Sequence, residues 1–254
     1  IFVLGLVIGS FIGAYTFRLP KRISILKGRS FCPKCKATIA WYDNVPLLSF
    51  LVLRGRCRNC GKKISVRYPL IEASTALLFS GIFYAQRACT GFVCEWSQSL
   101  GSWALPFLFL TSGILIAIFI VDLENQIIPD ELVFVLLSTT VLAILLSSNE
   151  GIYRLLFSGF FASSILLALN LATRGRGMGL GDVKLAIFGG AFFGFKLTYF
   201  WFLTSFVTGG VVATILLILK RKKFGQEIAF GPFLVAAFFL VLLFSDNFQF
   251  LLPF

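Results

Sequence analysis

The chain has 254 residues, 58% of them hydrophobic and 13% charged, with 23 Lys and Arg against 11 Asp and Glu for a net charge of +12. A soluble domain carries about 25% charged residues, so this composition, with mean hydropathy +0.92, excludes an ordinary soluble domain and describes a polytopic membrane protein. Histidine is absent, which excludes Ser-His-Asp triads, Cys-His dyads and His-ligated zinc hydrolases, and leaves acid–base chemistry to Asp, Glu, Lys, Tyr or Cys.

Apolar runs near the ~20 residues that a span requires fall at 1–17, 69–87, 103–121, 132–148, 152–172, 183–196, 198–219 and 229–245. The expected fold class is therefore all-α, with about eight transmembrane helices. Lipid satisfies no backbone polar group, and no barrel-like alternation is visible. The chain begins at Ile1 within an apolar run, and 1–17 reads as the remainder of a clipped first transmembrane helix rather than a signal peptide. The sixth run is short, and its Gly189, Gly190, Ala191 and Gly194 permit close helix packing.

Sidedness follows from Lys and Arg. Thirteen lie in 18–68, three more are Arg174, Arg176 and Lys184, and four are Lys220, Arg221, Lys222 and Lys223; the other side receives only Arg87, Arg154 and Lys196. By the positive-inside rule the loops at 18–68, 122–131, 173–182 and 220–228 are cytoplasmic. The same rule explains the basic charge without nucleic acid, which is not expected as a partner.

One break in composition interrupts the apolar pattern. Residues 18–68 form a basic, cysteine-bearing module between the first two helices, leaving 1–17 as the first helix and 69–254 as the main bundle. Cys32-Pro33-Lys34-Cys35 and Cys57-Arg58-Asn59-Cys60 are two C-x2-C knuckles, the pattern of a zinc ribbon. Four thiolates close a tetrahedron and leave no open position, so a Zn2+ held there is structural. The alternative is four reduced cysteines without metal. Cys89 and Cys94, expected on the outer side, are either a disulfide or two unpaired thiols.

Two acids stand at the ends of apolar runs. Asp122 follows the third run, and Asp182 lies in Gly179-Leu180-Gly181-Asp182-Val183-Lys184 at the mouth of the sixth. Carboxylates at membrane depth are costly, which makes both functional candidates, and both are expected at the cytoplasmic face.

These residues carry a family resemblance. Cys32-Pro33-Lys34-Cys35, Asn44-Val45-Pro46-Leu47-Leu48-Ser49, Arg54-Gly55-Arg56-Cys57-Arg58-Asn59-Cys60, Tyr68-Pro69-Leu70-Ile71-Glu72, Asp122 with Ile128-Pro129-Asp130, and Gly179 to Lys184 occur in that order. The chain resembles the type IV prepilin peptidases, the leader peptidases of type II secretion. The resemblance implies a multi-pass enzyme of the bacterial inner membrane. It would cut the basic leader from prepilins or pseudopilins on the cytoplasmic side, then N-methylate the new N-terminal residue using S-adenosylmethionine. Asp122 and Asp182 match the family's catalytic aspartates.

The chemistry suits these residues. One carboxylate takes a proton from water while the other, protonated, polarises the scissile carbonyl; two close carboxylates share a proton. Helix ends suggest the division of labour, since Asp182 opens a helix and Asp122 closes one. Lys184 reinforces that bias if it faces the site, and Gly179 and Gly181 admit a substrate backbone. Asp130 reads as a helix N-cap, Glu124 as a solvated charge and Asp43 as a turn residue. Glu72 reads as a first-turn acid, with a part in binding substrate or methyl donor as the alternative. Competing readings are a related protease that does not methylate, a transporter using the two acids as ion ligands, and a zinc-ribbon scaffold without catalysis.

Overall fold

A computed structural model of the chain describes residues 1–21, 23–24, 30–147, 152–175, 177–219 and 228–249. Arg176 and Lys220 to Lys223, used above to assign sidedness, lie outside the described residues, as do Arg22, Lys27 and Arg29. The long elements among the described residues are all helical, and pairing of β type is confined to two isolated bridges. The helices are α1 (Phe2–Arg18), α2 (Leu48–Val52), α3 (Arg67–Ala88), α4 (Gly91–Leu100), α5 (Ala104–Asn125), α6 (Asp130–Leu146), α7 (Ile152–Ala172), α8 (Leu180–Ile218) and α9 (Gly231–Gln249). By length and composition, four stretches among the described residues are long and apolar enough to cross a membrane: Phe2–Lys21, Gly91–Asn125, Leu155–Ala172 and Leu180–Ile218. Gly231–Asp246 is a shorter apolar helix. The chain forms two compact units, Ile1–Tyr84 and Ala85–Phe254.

In the N-terminal unit α1 lies against α3 along a stripe of glycines. A Cβ built on Gly5 would stand 2.5 Å from Ala76 Cα, one on Gly9 2.7 Å from Glu72 Cα, and one on Gly13 3.3 Å from the Tyr68 ring. Spacing by four residues puts all three on one helix face, and without side chains the two backbones approach closely. Arg67 Nη2 donates to Thr16 Oγ1 at 2.7 Å, joining the same two helices at their polar end.

The C-terminal unit is built on α8, which packs chiefly against α7 and α9. Its 39 residues would run about 58 Å if straight, twice the thickness of a bilayer core. Instead the helix breaks at Gly194, with φ 70° and ψ 178°, a conformation essentially confined to glycine. The chain turns back there. Trp201, twelve positions after Gly189, lays its indole directly on Gly189, a contact that a straight helix forbids. The first limb, 180–193, packs on α7 through a second small-residue contact. A Cβ on Gly190 would meet Ser158 O at 2.7 Å, and Ser158 Oγ donates to Gly190 O at 2.5 Å. Trp201 Nε1 donates to Leu234 O at 2.7 Å, fixing the second limb to α9. Phe192 sits inside an aromatic core, with ring centroids 4.8 Å from Phe238 and 5.0 Å from Trp96.

The loop after α3 holds a helix that its composition did not announce. α4 starts just beyond Cys89, which has φ 49° and forms a disulfide with Cys94. The Gly91 N–H donates to Asp246 Oδ2 at 2.7 Å, attaching the start of α4 to α9.

Candidate active site and metal centre

Three chain segments meet around the two acids of the C-terminal unit. Asp122 occupies the last turn of α5 and is 5% exposed. The helix ends three residues later, where Gln126 turns left-handed with φ 56° and its N–H donates to Asp122 O at 2.8 Å. Asp182 is the third residue of α8 and is also 5% exposed. Its Oδ2 accepts the Gly179 N–H at 3.2 Å, so the carboxylate reaches back over the open end of its own helix, where unpaired N–H groups favour an acid. The other oxygen of Asp182, Oδ1, is buried without a hydrogen-bond partner, and so is Asp122 Oδ2. Buried polar oxygens are normally satisfied, and two unpartnered oxygens on neighbouring carboxylates are suited to receive a ligand.

Ile128 and Gly231 complete the surroundings. A Cβ on Gly181 would lie 2.8 Å from Ile128 Cβ, and one on Gly231 would lie 2.5 Å from Asp122 Oδ2 and 3.2 Å from Ile128 Cδ1. Gly231 begins α9, followed by Pro232, whose ring suits a first turn because that position needs no N–H. On the Asp182 side Asn170 Nδ2, buried, donates to Met178 O at 2.5 Å and anchors the loop that leads into Gly179.

The structure separates some predicted residues from the pair. Lys184 is exposed and forms an ion pair with Asp130 Oδ1 at 2.7 Å, so its charge is engaged outside the carboxylate pair. Asp130 is the first residue of α6, and Pro129 occupies the N-cap position without a side-chain cap. The N-cap reading of Asp130 is therefore corrected: its carboxylate is taken by Lys184 instead. Glu124 is exposed.

Glu72 belongs to the N-terminal unit. It is buried in the first turns of α3 and accepts the Leu47 N–H on Oε2 at 2.8 Å. Leu47 has φ 56° and ψ −49°, and the Leu48 N–H reaches back to Pro46 O at 2.6 Å. This is a γ-turn of the strained hand, held by a buried carboxylate.

The same unit holds the cysteines. Cys32, Cys35, Cys57 and Cys60 bring their sulphurs within 4.8 Å of one another, with Cys32 and Cys60 at 4.0 Å. A tetrahedral ion with Zn–S bonds of about 2.3 Å sets sulphur–sulphur edges of about 3.8 Å, so the cluster can close on such an ion with small adjustments. The two knuckles repeat one design. Bridges Phe31–Thr38 and Arg56–Lys63 flank them. Lys36 N donates to Cys32 O and Gly61 N to Cys57 O, both at 2.8 Å. The residue after each second cysteine is left-handed, Lys36 at φ 62° and Gly61 at φ 67°. The backbone amide of Cys35, with that of Lys34, draws the Cys32 thiol down to about 7. Asp43 and Arg58 form a two-pronged ion pair at 2.7 and 2.8 Å that ties the 41–44 turn to the second knuckle, a more definite task than the ordinary turn position read from sequence.

Sequence reasoning missed Gly231 and Asn170, and quoted Ile128 only within the stretch Ile128-Pro129-Asp130, without a place beside the acids. The pair Gly231-Pro232 at the head of an apolar run was a legible signal; Asn170 gave none.

An all-helical, multi-pass membrane chain with two buried carboxylates at helix ends and a four-cysteine cluster is the class defined by fold and site. Residues 3–86 match the Bacterial Peptidase A24 N-terminal domain and residues 108–214 the Type IV leader peptidase family. A prepilin leader peptidase/N-methyltransferase of Pseudomonas aeruginosa is 31% identical over 96% of this chain and 89% of its own length. Proteins of the same name from Stutzerimonas stutzeri and Bacillus subtilis are each 31% identical, covering 96% and 97% of this chain and 90% and 94% of their own lengths. No solved structure matches the chain. The chain belongs to the type IV leader peptidase family.

Proposed function

We propose that this protein is a prepilin leader peptidase and N-methyltransferase of the bacterial inner membrane, with Asp122 and Asp182 as its catalytic pair. The observation that carries the proposal is the pairing of two buried carboxylates, each with an unpartnered oxygen, at the ends of α5 and α8. In this reading a water molecule lies between the carboxylates. One takes its proton while the other donates to the scissile carbonyl oxygen, and the tetrahedral intermediate collapses with return of a proton to the leaving amine. Gly179 leaves room beside Asp182 for the substrate backbone, Gly181 admits Ile128 at the same turn, and Lys184, through Asp130, joins the start of α8 to the start of α6.

The substrates are type IV prepilins or pseudopilins, whose apolar helix enters from the bilayer while the basic leader stays at the cytoplasmic face. Eight spans, with the two limbs of α8 counted separately, are part of this proposal. Zn2+ held by Cys32, Cys35, Cys57 and Cys60 is structural and stabilises the N-terminal module. S-adenosylmethionine supplies the methyl group, and Glu72 contributes to the substrate- or donor-binding surface by holding the Leu47 turn.

The test is cleavage of a prepilin by the purified chain, wild type beside Asp122→Asn and Asp182→Asn. Each substitution keeps the shape and removes the acid. Both variants are expected to retain their metal content and to cut nothing. Near wild-type cleavage by either one would remove that aspartate from the site.

A further inference from the structure

We infer that the cysteine module is seated in the membrane interface, with an apolar face inserted among anionic lipid headgroups. The 41–44 turn and α2 adjoin, joined by the Ser49 Oγ bond to Tyr42 O at 2.9 Å. Together they expose six large apolar side chains: Trp41, Tyr42, Val45, Leu48, Leu51 and Val52. Trp41 is 79% exposed, Leu51 70% and Val52 67%. Leu48, Leu51 and Val52 stand at i, i+3 and i+4, so one face of α2 is apolar and turned outward, the reverse of a helix that serves a core. An exposed apolar patch of this kind marks a docking surface.

Charge selects the occupant. Between residues 30 and 66 seven Lys and Arg side chains are exposed. The single acid in that stretch, Asp43, is already paired with Arg58. Arg54 and Arg56 follow α2 immediately. Aromatic and aliphatic side chains set among basic ones match the boundary between acyl chains and acidic headgroups. A basic leader peptide is the wrong partner for this charge. The module also follows directly from the apolar stretch Phe2–Lys21, which holds it at the bilayer surface. The inference rests on that membrane placement and is independent of which residues cleave the substrate.

The experiment reads Trp41 in the full-length protein. A Trp103→Phe background removes the other exposed indole, since Trp96 and Trp201 are buried. The emission lost on adding Trp41→Phe isolates the Trp41 component. The protein is placed in nanodiscs of three parts phosphatidylcholine to one part phosphatidylglycerol, with and without bromine on the acyl chains near the headgroup. The Trp41 component is expected to lose more than half its intensity to brominated lipid, and to lose less when Leu51→Ser and Val52→Ser are added or phosphatidylglycerol is omitted. Equal emission with and without bromine would overturn the inference. So would shielding of Trp41 that arises only when a prepilin is added, which would give the surface to the substrate. Equal quenching with and without phosphatidylglycerol would overturn the choice of anionic lipid.

Discussion

Gly231→Ala isolates the close approach on which the candidate site depends. The added Cβ would lie 2.5 Å from Asp122 Oδ2 and 3.2 Å from Asp122 Cγ, where ordinary contact begins near 3.4 Å. The nearer partner is a carboxylate oxygen of the proposed pair, so either Asp122 rotates away from Asp182 or the start of α9 retreats by about 1 Å. Misplacement of that size costs on the order of 10²-fold in rate, or about 2.7 kcal/mol of barrier. The assay is the initial rate of leader removal from a prepilin. Metal content and thermal unfolding report on folding, and methylation of a pre-cleaved pilin reports on the second activity. Gly210→Ala is the matched control, because a Cβ there meets nothing within 4 Å and gains ~1 kcal/mol of helix propensity. Wild-type cleavage by Gly231→Ala would refute the reasoning. Equal loss of cleavage and methylation with a lowered unfolding temperature would assign Gly231 to folding alone.

Other substitutions test the framework. Gly61→Ala places a side chain at φ 67° with open space around it, so its cost is backbone strain alone, about 1–2 kcal/mol; faster loss of metal to a chelator should report it. Glu72→Ala strips the acceptor from the Leu47 N–H and should destabilise the turn by about 1–3 kcal/mol, seen as faster hydrogen exchange across 45–53, while Glu72→Gln retains an acceptor and should exchange more slowly. The Arg58 guanidinium, hydrogen-bonded to Asp43, holds that carboxyl below its ordinary value of 3.8. The fold therefore favours the charged form, and the pair's contribution is present above 3.8 and fades as pH falls through the lowered folded value; Asp43→Asn should abolish that part of the acid sensitivity of metal retention. Gly194→Ala imposes a side chain on a glycine-only conformation at about 1–3 kcal/mol and should lower the unfolding temperature, whereas Gly210→Ala should not; equal temperatures for the two variants would deny the break a structural role.

Where length and polarity decide structure, the sequence was legible. Apolar run length announced the helices, and the C-x2-C spacing announced a cluster whose sulphurs indeed converge. Asp122 and Asp182 stood out because acids are costly beside apolar runs. What was not legible depended on partners distant in sequence. No local pattern says that Lys184 answers Asp130 across 54 positions, that Gly231 abuts Asp122, or that Glu72 caps a turn at Leu47. α4 was missed because its run of ten residues is too short for a span. The Gly5, Gly9 and Gly13 stripe was readable and overlooked; hydropathy alone does not distinguish a glycine that packs from one that merely tolerates lipid.

The position of the acids at helix ends rather than mid-helix follows from the cost of charge in a bilayer. A mid-span carboxylate has only side chains to answer it, because every backbone N–H around it is already bonded within the helix. A helix start leaves N–H groups free, and Asp182 uses one, that of Gly179. A helix end does the opposite, since its unpaired groups are carbonyls, which offer an acid nothing unless it carries a proton to donate. Asp122 stands at such an end, but the start of α9 is brought against it, and the Gly231 N–H addresses its carboxylate. Each acid therefore meets an N–H group at a helix start, Asp182 at the start of its own helix and Asp122 at the start of α9. Three helix ends thus converge on the two carboxylates, and the glycines at two of them allow that close approach.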